Sequence, residues 1–189
     1  MRIDNLKVRN FRGIQTADID FSEYQRLVCI IGPGDSTKST VLQAIEYALY
    51  PNYGLLLNDS DFYNNDISTP IVIEVTVSEI CDALISEEKY GLYLRGDISQ
   101  DDDEPQSVPR LTVRLTVDQT LDPKWEVVCN RKEPKTISYR DRRRLCICTV
   151  GDSCSSDLAW GRGSVLNFYA DAGTAARQIQ TSAQRAAVG

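Results

Sequence analysis

The sequence predicts an α/β protein, and three observations carry that prediction. Leu27 to Ile31 is a short apolar run that reads as a buried strand. It breaks into a loop at Gly32 and Gly34. Behind the loop, Val41, Leu42, Ile45, Ala48 and Leu49 recur at helical spacing from Lys38 to Tyr50, and Pro51 closes the stretch. Elsewhere the chain alternates apolar with polar over 3–8, 18–21, 71–77, 111–117 and 125–129, as strands with one covered face do.

In chain order, Arg12-Gly13-Ile14 is a turn, so a strand pair precedes the central run. Asn58 to Asp66 is a polar loop. Pro70 to Val77 is the clearest strand, with Ile71, Ile73, Val75 and Val77 on one face, and Ser78 is a suitable N-cap for a short helix over 79–85. Residues 96–109 concentrate Asp97, Asp101, Asp102, Asp103 and Glu104 beside Pro105 and Pro109. Asp101-x-Asp103 has the spacing of a metal-nuclease pair, but such a run beside prolines reads as a solvated loop. A hairpin follows over 111–129, and residues 144–150 form a further apolar strand. From about residue 170 the chain turns alanine- and glutamine-rich, as a helix would.

Composition narrows the functional classes. The 189 residues suffice for one domain with a small annex, and 42% hydrophobic with 25% charged residues is ordinary for a globular chain. The longest aliphatic run is about five residues where a bilayer span needs about 20, and the N-terminus has no signal-peptide pattern, so no membrane partner and a cytoplasmic location are expected. A net charge of −6 keeps the surface as a whole from attracting nucleic acid, and the cluster Arg140, Arg142, Arg143 and Arg144 reads as a solvated strand edge. The absence of histidine excludes Ser-His and Cys-His nucleophile pairs and histidine-ligated metals within these residues. Of six cysteines most sit in apolar runs, as small buried hydrophobes. Cys146-x-Cys148-x5-Cys154 lacks the paired knuckles of a structural zinc site.

The stretch Gly32-Pro33-Gly34-Asp35-Ser36-Thr37-Lys38-Ser39-Thr40 carries the chemistry. A strand, a glycine loop and a helix start in that order let backbone amides curl round an anion, while the unpaired amides of the helix add partial positive charge. In this pattern Lys38 reaches the β- and γ-phosphates of ATP and the Ser39 hydroxyl ligates Mg²⁺. Gly32, Lys38 and Ser39 stand at the spacing of G-x-x-x-x-G-K-[S/T], but Thr37 replaces the second glycine. Its side chain either narrows the phosphate cradle or is accommodated by a negative φ. Glu74 is rejected as the Mg²⁺ acid of an apolar strand because Val75 and Val77 continue the strand past it. Asp59, too close behind the helix, is rejected as well.

The opening Leu6-x-Val8-x-Asn10-Phe11-Arg12-Gly13, followed soon by this loop, resembles the head domains of the RecF, SMC and OLD-nuclease group of ABC-type, AAA-family ATPases. The Gly-Pro-Gly-Asp-Ser form of the loop and the stretch 157–166 are most similar to OLD-type members. The resemblance implies a P-loop NTPase of ABC-head type, first lobe only: a mixed sheet about the phosphate-loop strand with an antiparallel β-subdomain. Residues 1–169 would form this lobe, 88–144 its β-subdomain with the acidic loop 96–109, and 170–189 the start of a helix leading into a missing C-terminal part. It also implies Arg12 beside the nucleotide, or else a plain turn arginine. Asp61 or Asn58 would supply the Mg²⁺-side oxygen that a glutamine supplies in related heads, or else lie in an ordinary hydrated loop.

The second lobe of such heads carries the signature sequence, the Walker B acids and a switch histidine, none of which is present. The chain therefore reads as part of a longer ATPase, inactive in hydrolysis alone, whose complete form pairs two heads on ATP and acts on DNA indirectly, in repair or antiviral defence. Two other readings stand beside it: a regulatory nucleotide sensor, and a degenerate scaffold that keeps only the fold.

Overall fold

Arg2 to Phe11 forms β1, and the Arg12-Gly13 turn sends the chain back as β2, Ile14–Asp20. The computed structural model describes residues 1–21, 27–34, 37–52, 54–86, 88–94 and 108–145, all within one unit, Met1–Ile147. Helix α1 spans Lys38–Ala48, β3 Ile71–Ser78, α2 Asp82–Ile85, β4 Leu111–Val117, β5 Pro123–Cys129, β6 Lys132–Thr136 and α3 Tyr139–Arg143.

The strands make one sheet in the order β2-β1-β3-β4-β5-β6, antiparallel at every pairing. The class is α/β, as expected. The strands of the 88–144 stretch continue the sheet directly, because β4 pairs with β3.

Alternation builds the core. Leu6 and Val8 of β1, Ile71, Ile73, Val75 and Val77 of β3, and Leu111, Val113, Leu115 and Val117 of β4 are fully buried on one face. Helix α1 packs across β1, β3 and β4 with Val41, Ala44, Ile45, Ala48 and Leu49. Each fully buried aliphatic side chain contributes about 1.5–3 kcal/mol of transfer free energy. Leu42, placed on the stripe by the sequence, is 56% exposed, and Ala44 takes its place. The opposite face is polar: Glu74 binds Arg114 at 2.6–2.7 Å and Thr76 meets Thr112 at 2.9 Å. Glu74 is therefore a mid-strand ion-pair residue, as its position implied.

Three expectations fail, each for a physical reason, and the described cysteines are less buried than their apolar runs suggest. Leu27–Ile31 forms no strand: Leu27 and Ile31 are 81% and 91% exposed. An apolar run supplies propensity, but a strand needs a neighbour's ladder, and none of the described strands lies alongside. Ser78 caps no helix. It ends β3 and donates to Asp4 at 2.9 Å, and α2 begins later, at Asp82. Arg140, Arg142 and Arg143 lie on a helix, not a strand edge, because Ser138 accepts from the Asp141 amide as a true N-cap. Cys29 and Cys81 are exposed and Cys129 is half-buried. Strand β6, fully exposed and interrupted by Pro134, has no alternation to reveal it, as suits a charged sheet edge.

The expected acidic loop over 96–109 lies almost wholly outside the described residues, as do Cys146, Cys148 and Cys154, the strand beyond Leu145, the stretch 157–166 and the C-terminal helix. Among the described residues no helix is long and apolar enough to cross a membrane.

Candidate nucleotide site

Helix α1 begins at Lys38, directly behind the glycine loop. Its first-turn amides lack the i−4 carbonyls that satisfy the helix interior. Thr37 makes no side-chain cap and the first turn carries no acidic residue, so among the described residues at this end none offsets the positive charge of the helix N-terminus. The Lys38 ammonium folds back to donate to the Pro33 carbonyl, which closes the loop over itself. Ser39 is exposed on the first turn, and a Cβ built at Gly34 would meet nothing within 4 Å. The hydroxyl of Ser39 is the hard oxygen donor that Mg²⁺ prefers, and the open space beside Gly34 is what an incoming phosphate requires. The residues at hand fit a Mg-nucleotide. Gly32 and Thr40 are described within the same loop and first turn, whereas Asp35 and Ser36 lie outside the described residues.

Thr37 settles one question left open by the sequence. It sits at φ 61° and ψ 6°, in the left-handed region. A negative φ does not accommodate it. The backbone has kept the conformation in which glycine is usual and carries a β-branched residue there, at a cost of about 1–2 kcal/mol. The Thr37 methyl points at Gly13, where an added Cβ would lie 2.9 Å from Thr37 Cγ2. The β1–β2 turn and the loop therefore fit each other only because residue 13 has no side chain. Gly13→Ala is expected to destabilise the chain by about 1 kcal/mol, and Thr37→Gly to stabilise it by a similar amount. In the double variant the penalty of Gly13→Ala should vanish. Purely additive melting shifts would show that the two residues do not touch in solution.

Arg12 and Asp61, assigned separately to the nucleotide and the metal, are brought together. Arg12 Nε binds Asp61 Oδ1 at 2.7 Å, and the Arg12 amide donates to the Asp61 carbonyl at 2.7 Å. The remaining guanidinium nitrogens donate to the Gln43 side chain and, at 3.0 Å, to the Tyr47 hydroxyl. The cation also lies 5.4 Å and 5.5 Å from the Phe11 and Tyr47 ring centroids. Asp61 Oδ2 accepts from the Asn58 amide at 2.9 Å in a capping box. Both oxygens of this buried carboxylate are thus engaged, and so is Asn58. The geometry gives Asp61 the work of holding Arg12, not a ready metal vertex. Among the described residues no three metal-ligating side chains of His, Cys, Asp or Glu converge.

Sequence reasoning missed Gly13, Gln43 and Tyr47. The i, i+4 spacing of Gln43 and Tyr47 on α1 places them on one face, but nothing in the sequence says that Arg12 is what they meet. Burial, the largest influence, pushes the Tyr47 phenol above its ordinary value, while the Arg12 charge opposes it.

A second polar centre lies at the far end of the sheet. Arg142 is 3% exposed, its guanidinium 3.7 Å from the Trp125 ring centroid, and it donates to the Tyr50 and Asn52 carbonyls at 2.9 and 3.0 Å. Burial pulls its pKa down to about 10. Beside it, Asp141 accepts from Lys89 at 2.7 Å, from Ser138 at 2.9 Å and from Tyr90 at 3.2 Å. Burial is the largest single influence on Asp141 and raises it, but these donors and the Lys89 charge together hold it below the usual carboxylate range. Tyr90 is pushed up to about 12, first by burial and then by the Asp141 charge.

A family model described as an AAA ATPase domain matches residues 1–143. A solved structure concerned with the ATP-driven dimerization and DNA-stimulated activation of SMC ATPases superposes with a TM-score of 0.46 at 14% identity, over 75% of this chain and 75% of that one.

Proposed function

The chain belongs to the AAA ATPase domain family, and on that premise we propose that it binds Mg·ATP at Gly32–Thr40 as the nucleotide-binding lobe of a DNA-acting ATPase. The observation that carries the proposal is the loop itself, closed by Lys38 onto Pro33 and backed by a helix whose first turn holds no acidic residue and whose N-cap Thr37 makes no side-chain cap. Lys38, freed from the Pro33 carbonyl, would hold the β- and γ-phosphates, the Ser39 hydroxyl would ligate Mg²⁺, and the first-turn amides of α1 would supply donors to the phosphates. Arg12 stands against the loop through Gly13 and steadies it with the help of Asp61.

The ABC-type, OLD- or RecF-like character, the pairing with a second head and a role in repair or antiviral defence belong to the same proposal. They are supported by the Asn10-Phe11-Arg12-Gly13 opening and the Gly-Pro-Gly-Asp-Ser loop. Turnover by this chain alone is expected to be negligible, because Asp61 and Glu74, the obvious carboxylates downstream of the loop, are held by Arg12 and Arg114.

Equilibrium binding of a fluorescent ATP with and without Mg²⁺ tests the proposal. Lys38→Ala should weaken Mg-dependent binding by about tenfold or more, since a charge-assisted bond is worth roughly 1.5–3 kcal/mol. Equal affinity in the two proteins would remove the loop from the site. The strained Thr37 favours a second reading, a nucleotide sensor or a scaffold that no longer hydrolyses. Mg-dependent binding separates the sensor from the scaffold, and measurable turnover lost in Lys38→Ala would refute both.

A further inference from the structure

The surface formed by β6 and α3 is charged against the grain of the molecule. Residues 131–144 contain seven lysines and arginines against two acids, in a chain of net charge −6. There the structure forms an open cleft of about 700 Å³, lined among others by Lys89, Trp125, Tyr139, Arg140, Arg142 and Arg144. That volume lies within the roughly 300–1,000 Å³ of ordinary ligand sites.

The cleft is built in two layers. Arg142 and Trp125 form a fixed floor, stacked on each other and tied to the Tyr50 and Asn52 carbonyls, so neither is available to a ligand. Asp141, the one acid in the lining, is answered by Lys89 at 2.7 Å. Above the floor Arg140 and Arg144 are exposed, with Lys132 and Lys135 on the edge strand. Arg140 lies 5.8 Å from the ring centroid of the half-exposed Tyr139 and donates to its hydroxyl at 3.2 Å, and Lys135 donates to the Lys89 carbonyl at 2.7 Å, so a strand would bind by exchanging these surface contacts for phosphate and base. The guanidinium groups match phosphate oxygens in a bidentate fork, and an aromatic ring beside them suits a stacked base.

The geometry points to this cleft as a binding site for the phosphodiester backbone of a nucleic-acid strand. A polyanion is disfavoured by the net negative charge of the chain as a whole, so attraction here is local and sensitive to salt. The site deepens the proposed function, resting on it only for the choice of nucleic acid over other polyanions. It uses none of the loop residues.

The test is fluorescence anisotropy of a labelled oligonucleotide, single-stranded and as its duplex, with the purified chain, no nucleotide added, and salt varied between about 50 and 200 mM. Arg140→Gln with Arg144→Gln should lose about tenfold in affinity at the lowest salt, and the slope of log K against log salt should flatten by about two, one per lost phosphate contact. Lys7→Gln with Arg9→Gln removes the same charge from exposed positions of β1, three strands from β5, and should change affinity less than about twofold. All four positions are exposed, so circular dichroism should match the parent chain in both pairs. Lys38→Ala should bind the strand like the parent, which separates failure of this site from failure of the loop. Equal losses in the two pairs, or a polyglutamate peptide binding as tightly as the oligonucleotide, would overturn the assignment.

Discussion

Replacing Arg142 with alanine is expected to cost about 3 kcal/mol, roughly 10 °C in melting temperature. The guanidinium does three things from one buried position. It covers the Trp125 ring at 3.7 Å and satisfies the Tyr50 and Asn52 carbonyls where the chain leaves α1. Trp125 in turn donates from its indole nitrogen to the Tyr47 carbonyl at 3.1 Å, so α3, β5 and the end of α1 are joined through one side chain. Alanine leaves two carbonyls without a donor, at roughly 1–3 kcal/mol each, and opens a void over the indole. Relief from keeping a charge out of water offsets part of that loss. Arg142→Lys should recover little, because an ammonium has neither the planar face nor the fork. Arg142→Met should fall between, restoring contact with the ring without the donors. If thermal unfolding of Arg142→Ala matched the parent chain, the guanidinium would be dispensable to the α1–β5–α3 junction.

The second large effect is expected at Arg12. Truncation to alanine strands the Asp61 carboxylate, whose side chain is 6% exposed, without its cation, and removes the ties to Gln43 and Tyr47. Breaking a buried pair from one side costs roughly 3–5 kcal/mol. With the Arg12 side chain 30% exposed, about 3 kcal/mol is the appropriate end of that range. Asp61→Asn should cost less, since its amide oxygen still accepts from Arg12 and no carboxylate is stranded, although the NH2 group in place of Oδ2 can no longer accept from the Asn58 amide. Combining Arg12→Ala with Asp61→Asn should recover about 1–2 kcal/mol relative to the sum of the single changes. Denaturant unfolding of the four proteins measures that coupling directly, and strict additivity would show that the pair is a surface contact without energetic consequence. Because Gly13 follows Arg12 and abuts Thr37, loss of the anchor should also weaken binding at the glycine loop.

These two arginines mark where reading the sequence succeeds and where it stops. Period-two alternation locates β1, β3, β4 and β5 because each strand has one face on the core. The 3.6-residue stripe locates α1 because that helix lies on the same core, and the glycine loop before Lys38 locates its start. Arg142 escapes such reading for the same reason that these elements yield to it. Local pattern reports which residues are apolar, and a buried cation stacked on a tryptophan seventeen positions earlier leaves no local pattern. Leu27–Ile31 shows the converse, apolar enough for a strand yet exposed, because burial is a property of neighbours.

The residues alone determined β1, β3, β4, β5 and α1 and the chemical character of the loop: glycines for a tight turn, a lysine and a hydroxyl for phosphate and cation, and a helix behind them. Only the folded chain decided that Thr37 lies in the left-handed region against Gly13, that Arg12 and Asp61 occupy each other, and that the arginines of 140–144 divide between an interior stack and an exposed cleft. Backbone periodicity is written within a few residues of itself. Pairings such as Arg12 with Asp61 join positions far apart in the chain, and their energy exists only once the sheet has brought them together.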